Sequence, residues 1–409
     1  MKITNLSLAA IAVIGMMSVA SADVDMKIGG QAVVYYQTVE NGGDSDYFDK
    51  GSSTANSGLQ LNANGDLGNG FGLGLQGTAL STWGLENNLV GDYDTKADGS
   101  FNNPGVMQSG LRNNGDTANA SDYFAITKAY LTKKLGKTTL KMGRQELPKS
   151  LSPLAFSEGW NVYKNTFDAV VAINSDIPDT TVVGAYVSRS NKHGDLGTFN
   201  NLTTNAAPVN KGAYMITVAN KSIKQAPVTL TYYDLELSGG LEAASAIWGD
   251  VQVDAGLPVK FGLQGGSIMP ENNLDDTKAV GAKVTGKAGP VALKLAYSKV
   301  NNGTVSLQNV GTGVKTPLYT QMVANQGAIS RNADTVVLQA KTPVGPGTLI
   351  AQYDMTQTSS GPDNDFSELD VLYKFKALGT TMLAAYVTKD SDAMKDPVNI
   401  VRFWTRYNF

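Results

Sequence analysis

Val401-Arg402-Phe403-Trp404-Thr405-Arg406-Tyr407-Asn408-Phe409 ends the chain, and its alternation decides how the rest is read. Val401, Phe403, Tyr407 and Phe409 share one face, and Arg402, Arg406 and Asn408 share the other. A period of two is that of a β-strand whose two faces meet different surroundings. An aromatic residue at the tip of such a strand suits lipid on one side, water on the other and a membrane interface at the end.

The other end of the chain agrees. Lys2 precedes the mostly apolar run Leu6 to Met17, and Ala20-Ser21-Ala22 follows as an A-x-A cleavage site. Residues 1–22 are therefore expected to be an export signal, with one domain occupying 23–409. The alternative, a membrane-anchoring helix, is disfavoured because the run is short and no basic flank follows. The chain contains no Cys, which excludes disulfides, thiol chemistry and a lipidated cysteine. Its formal net charge of −3 comes without any basic tract, so nucleic acid is not an expected partner. After residue 22 no apolar run approaches the ~18 residues of a membrane helix.

Runs of about ten residues, the length of a tilted membrane strand, recur throughout. They fall at 25–38, 56–66, 70–81, 122–135, 137–145, 165–174, 179–190, 212–222, 226–237, 241–254, 257–267, 277–287, 290–300, 333–342, 347–356, 366–376, 379–388 and 397–409. Within one run Val291, Leu293, Leu295 and Tyr297 oppose Ala292, Lys294, Ala296 and Ser298; in another Leu369, Val371, Tyr373 and Phe375 oppose Asp370, Lys374 and Lys376. An amphipathic sheet over a soluble core accounts for one such strand better than for a whole series.

The connections alternate in length. Leu135-Gly136, Lys287-Ala288-Gly289-Pro290 and Ala377-Leu378-Gly379 are tight Gly/Pro turns, while 39–55, 82–121, 146–164, 191–211 and 301–332 are long and polar. All short turns then lie at one end and all long loops at the other, as periplasmic turns and extracellular loops do in a transmembrane barrel. Lipid demands that every backbone donor and acceptor be paired inside the protein, and only closure removes the sheet edges. The expected fold is an all-β transmembrane antiparallel barrel of eighteen strands, with sixteen as the alternative. That width leaves a water-filled lumen. The expected activity is passive diffusion of ions and small hydrophilic solutes.

Loop 146–164 differs from the others. Leu147, Leu151, Leu154, Ala155, Phe156, Trp160, Val162 and Tyr163 make it apolar and aromatic, which suits a segment folded inward against the wall; the alternative is a surface loop with a local apolar cluster. It follows Lys141-Met142-Gly143-Arg144-Gln145 and contains Pro153-Leu154-Ala155-Phe156. These motifs resemble the region entering the constriction loop of Gram-negative porins. With the signal, the strand series and the terminal Phe, the chain looks like the major outer-membrane porins of the epsilon-class proteobacteria, similar in architecture to the eighteen-stranded substrate-specific porins of pseudomonads. The last strand likewise resembles that of bacterial outer-membrane barrels, where the terminal Phe, here Phe409, is read by the barrel-assembly machinery. The resemblance implies an outer-membrane location in contact with lipid, a homotrimer, and a lumen narrowed by loop 146–164.

Charges at the narrow point of a pore select ions by their field. If Phe409 faces lipid, parity turns Arg402 and Arg406 inward, and in the same way Lys141, Lys260, Lys283, Lys294, Lys341, Lys374, Asp168, Asp354 and Asp370. Glu146 and Glu158 on the loop are expected to face this basic wall, and Arg144 stands at the loop entrance. Each of these is equally read as a solvated charge with no special role. The acidic loops 39–55 and 82–121 predict cation enrichment at the mouth, the basic wall argues the other way, and the expectation drawn is a cation preference.

Two rival functions remain. A barrel hydrolase needs a catalytic base, and the single histidine, His193, has only Asp195 nearby in sequence, which establishes neither a nucleophile nor an oriented water. No enzyme activity, cofactor or metal is expected: one His without Cys cannot build a zinc site, and no loop has the Asp-x-Asp-x-Asp-Gly spacing of a calcium loop. A surface adhesin or structural barrel is the second rival, distinguished by the absence of conductance.

Overall fold

A computed structural model describes residues 26–42, 46–49, 52–81, 123–159, 162–191, 199–201, 212–235, 243–271, 273–358 and 365–409. The expected export signal 1–22, the acidic loop 82–121, Trp160 and the His193–Asp195 pair lie outside them.

The strands are β1 (Met26–Glu40), β2 (Ser53–Gly68), β3 (Phe71–Ser81), β4 (Tyr123–Leu135), β5 (Thr138–Gln145), β6 (Phe167–Asn174), β7 (Thr180–Ser190), β8 (Asn200–Asn201), β9 (Ala213–Asn220) and β10 (Val228–Leu235). They continue as β11 (Ala244–Val253), β12 (Val259–Pro270), β13 (Thr277–Ala288), β14 (Val291–Val300), β15 (Ala333–Val344), β16 (Gly347–Thr358), β17 (Phe366–Ala377), β18 (Thr380–Ser391) and β19 (Val398–Asn408). β8 is a two-residue piece pairing with the far end of β7. The other eighteen are those expected from the alternation, each pairing antiparallel with its neighbours.

The tight turns use the backbone conformations their glycines allow: Gly136 sits at φ +59° between β4 and β5, with open space around it. β1 closes on β19 from Gln31↔Asn408 to Glu40↔Asn399, so no edge is left to lipid. Phe409 extends the seam by exchanging backbone hydrogen bonds with Gly30, N–H to O distances of 2.8 and 3.1 Å. A Cβ on Gly30 would lie 2.4 Å from Phe409 Cζ and 2.5 Å from the Gln60 carbonyl oxygen, so the terminal ring is seated where a side chain is missing.

The outer face carries exposed Ile28, Leu131, Met142, Ile216, Leu263, Val280, Leu338 and Met355, the apolar belt that lipid requires. The inner face is not uniformly polar. From β6 to β14 it presents Phe167, Ala169, Val171, Val183, Ala185, Val187, Met215, Leu235, Trp248 and Ile268, all buried. Leu147, Leu154, Leu307, Leu318 and Ile329, from two loops, complete this apolar core inside the barrel. One half of the lumen is therefore packed, and the open water path is displaced towards the other half.

Candidate functional site

Loop 146–166 lies inside the barrel. Its own turn is closed by the Ser157 amide on the Leu147 carbonyl (2.8 Å) and by the Leu147 amide on Ser157 Oγ (3.1 Å). The wall then holds it: the Leu154 amide donates to Tyr233 Oη (3.0 Å), and Thr217 Oγ1 donates to the Leu151 carbonyl (2.7 Å). At its end Tyr163 packs with Val33, Tyr35, Leu80 and Val162. Gly58 makes room for that ring, since a Cβ there would stand 2.7 Å from it.

A second loop, 301–332, also enters the lumen, which its polar Asn, Gly, Thr and Gln content does not announce. It holds the short helix α1 (Gln326–Ile329) and docks on carboxylates of the inner wall. The Ala324 amide donates to Glu368 (2.8 Å to Oε1), the Val323 amide to Asp370 Oδ2 (3.3 Å), and Asn325 Nδ2 to Asp354 Oδ2 (2.9 Å). Across the lumen Tyr319 Oη donates to Asp250, and Lys283 Nζ lies 4.1 Å from its ring centroid. The two loops join directly: the Val310 amide donates to the Leu154 carbonyl (2.8 Å), Asn309 brackets Phe156 with two bonds (3.1 and 2.8 Å), and Lys149 Nζ donates to the Thr316 carbonyl (2.8 Å). The signal available in the sequence was the set of acids, Asp354, Glu368 and Asp370, at inward positions of adjacent strands. Wall carboxylates at inward positions need donors, and here the donors are loop amides.

Charges nominated from sequence parity divide into two groups. Lys141, Lys294, Lys374, Arg402 and Arg406 stand on the inner face. Lys294 Nζ donates to the Tyr319 carbonyl (3.1 Å), and Arg406 Nη1 donates both to Val162 O and to Gln31 Oε1 (2.8 Å each). Arg402 is buried and gives Nε to Gln37 Oε1 (3.0 Å). Glu158 is buried at the end of loop 146–166, where its charge acts on Lys315 and Arg402. Glu146 bridges Lys128 (2.5 Å) and Lys164 (3.2 Å). Burial raises its carboxyl, and these two ammonium groups together hold it below the usual range.

Asp168 corrects the parity argument, and Arg144, nominated for its place at the loop entrance, lies beside it. They face each other across β5 and β6, and Asp168 lies between Phe167 and Ala169, whose side chains are in the inner core. Both charges are thus on the outer surface. The assumption that the polar face is the inner one fails along β6, because the loops pack on that wall and make its inner side apolar.

A family model for Gram-negative porins matches residues 7–393. The chain belongs to the Gram-negative porin family. Among solved structures this porin is similar to OccK8 (OprE) of Pseudomonas aeruginosa, with a TM-score of 0.73 at 13% identity over 94% of this chain and 98% of that one. It is similar to OccAB4 of Acinetobacter baumannii, with a TM-score of 0.74 at 13% identity over 94% and 98%, and to OpdK of Pseudomonas aeruginosa with vanillate, with a TM-score of 0.72 at 12% identity over 94% and 98%. At these identities the likeness is one of fold. No curated protein matches the chain. The porin family places the protein in the outer membrane, in contact with its lipid, as a channel for solutes.

The open half of the porin lumen has a basic lining. A cleft of about 830 Å³ is bordered by Lys27, Lys128, Lys164, Lys374 and Arg406, with Glu146 as its one carboxylate side chain and Gln31, Gln60 and Asn62 between them. Five basic side chains against one acidic side chain make the side-chain lining positive there.

Proposed function

We propose that this porin is a diffusion channel narrowed jointly by loops 146–164 and 301–332, and that its narrow part favours small anionic solutes. The observation carrying this reading is the basic lining of the lumen cleft, which faces water on the open side of the two loops. Cation enrichment at the mouth was expected from loops 39–55 and 82–121, but a field acts most strongly where the path is narrowest and least screened. The OpdK structure holds vanillate, a carboxylate, which agrees with that charge class. No step in this function needs catalysis. The homotrimer that the resemblance implies belongs to the same proposal. Export by the signal 1–22, reading of Phe409 by the assembly machinery, and a place among the epsilonproteobacterial porins complete the proposal.

Single-channel recording in a planar bilayer under a salt gradient tests it. The expected result is stepwise ohmic current in groups of three with a reversal potential on the anion side. Folded barrel without current would overturn the channel, and a cation-side potential would overturn the selectivity.

A further inference from the structure

Arg144, Asp168 and Arg189 lie side by side on the outer surface, at the long-loop ends of β5, β6 and β7. Arg144 is the cross-strand partner of Asp168, and Asp168 that of Arg189. Arg144 Nε is 2.9 Å from Asp168 Oδ1, and Arg189 Nη2 is 2.7 Å from Asp168 Oδ2. Below them on the same face come Met142 and Val170, 61% and 42% exposed, which belong to the lipid-facing belt. Charges directly above an apolar belt stand at the level of lipid headgroups.

The two arginines are not equivalent. Arg144 is spent: besides Asp168 it donates Nη1 to the Ile126 carbonyl (2.8 Å), and its guanidinium carbon lies 3.4 Å from the Phe199 ring centroid. Arg189 has one ion pair among the described residues, to Asp168, and its side chain is 49% exposed. One carboxylate between two guanidinium groups leaves a surplus positive charge, and the donors not committed to Asp168 belong to Arg189. Lys299 and Asp334, also outward at the long-loop end, form a one-to-one pair at 2.7 Å and leave no such surplus.

We propose that Arg189, aimed by Asp168 and backed by Arg144, seats a phosphate group of an outer-leaflet lipid. A guanidinium fork fits a phosphate by two parallel charge-assisted bonds. The lipid, and not dissolved phosphate, is the source, because the cluster opens on the lipid-facing surface directly above the belt and not on the lumen.

Native mass spectrometry of the full-length folded protein in detergent tests this with three probes: bis-phosphorylated lipid A, its dephosphorylated form, and inorganic phosphate. The wild type should retain the phosphorylated lipid in preference to the dephosphorylated one. Arg189→Gln, which leaves the Arg144–Asp168 pair in place, should lower that retention about fivefold, the worth of one cation at a membrane surface. Arg189→Lys should fall between, keeping the charge without the fork, and Lys299→Gln should retain lipid like the wild type. Equal retention of the two lipids, or an Arg189→Gln barrel with normal heat-modifiable mobility and undiminished retention, would overturn the proposal. So would displacement of the lipid by inorganic phosphate at equal concentration, since that result assigns the cluster to soluble anions.

Discussion

Arg406 is held on both sides, by the Val162 carbonyl and by Gln31, so its charge has a fixed position beside the inward loop. Lys374, on the same lining, stays exposed to the lumen. Two substitutions therefore separate charge from scaffold. Lys374→Glu should move the reversal potential towards cations with little change in conductance. Arg406→Glu should move it as well and also add current noise, because the Val162 carbonyl loses its donor. A Lys374→Glu channel with an unchanged reversal potential would remove this residue from the ion path. Asp168 gives the complementary experiment. It lies on the outer surface, so Asp168→Asn should leave the reversal potential as in wild type. The temperature at which the barrel unfolds on a gel should fall slightly, since weakening a partly exposed ion pair costs on the order of 1 kcal/mol or less. A clear shift in selectivity would instead return Asp168 to the lumen.

Loop 301–332 turns on Lys315, which sits in a left-handed conformation at φ +60° and donates Nζ to the carbonyls of Met322 (2.8 Å) and Val323 (2.7 Å). Enclosure in the lumen lowers its pKa to about 8, while Glu158, Glu368 and Asp370 pull the other way and Arg402 adds to the lowering. The charged form is thus present below about pH 8 and lost as pH rises through it. With the charge goes attraction to Glu158 of the other loop, so the loop joint loosens. Single-channel noise should rise between pH 7 and 9 in the wild type, and Lys315→Met should show the noisy state at both values; a Lys315→Met channel as quiet as wild type at pH 7 would refute the joint. The sequence shows loop 146–164 better than loop 301–332 for a physical reason. An inward loop that packs through Leu154 and Phe156 advertises itself by apolar content. One that docks through backbone amides on Asp354, Glu368 and Asp370 leaves its mark on the wall strands, not on itself. The strands were legible because lipid enforces period two on their outer faces. The inner face carries no such constraint where loops pack on it, and this is why parity misplaces Asp168.

A closed barrel has one seam made by residues far apart in sequence, and here it joins β1 to β19. The last pair, Gly30 with Phe409, is the tightest point, because β1 is confined between β2 on one side and the terminal strand on the other. A side chain at position 30 meets two obstacles of different kinds, the Phe409 ring and the backbone oxygen of Gln60. The ring can turn away at the expense of its stacking on Tyr407, whose centroid is 5.9 Å distant. The Gln60 carbonyl belongs to the β1–β2 ladder and can move only with its strand. Gly30→Val should therefore destabilise the folded barrel by about 1–3 kcal/mol, the usual cost of overpacking. Phe409→Ala should cost less, since it empties the seat without straining the ladder. In the double variant Gly30→Val/Phe409→Ala the ring conflict is gone and the Gln60 conflict remains, so its loss should be smaller than the sum of the two single losses yet larger than that of Phe409→Ala alone. The temperature at which each barrel loses its compact gel mobility measures all three, and strictly additive losses would show that the terminal ring is not seated on Gly30. Channels formed by the surviving folded fraction should conduct as wild type, because the strained side chain points to lipid and the basic lining lies on the opposite face of the same strands.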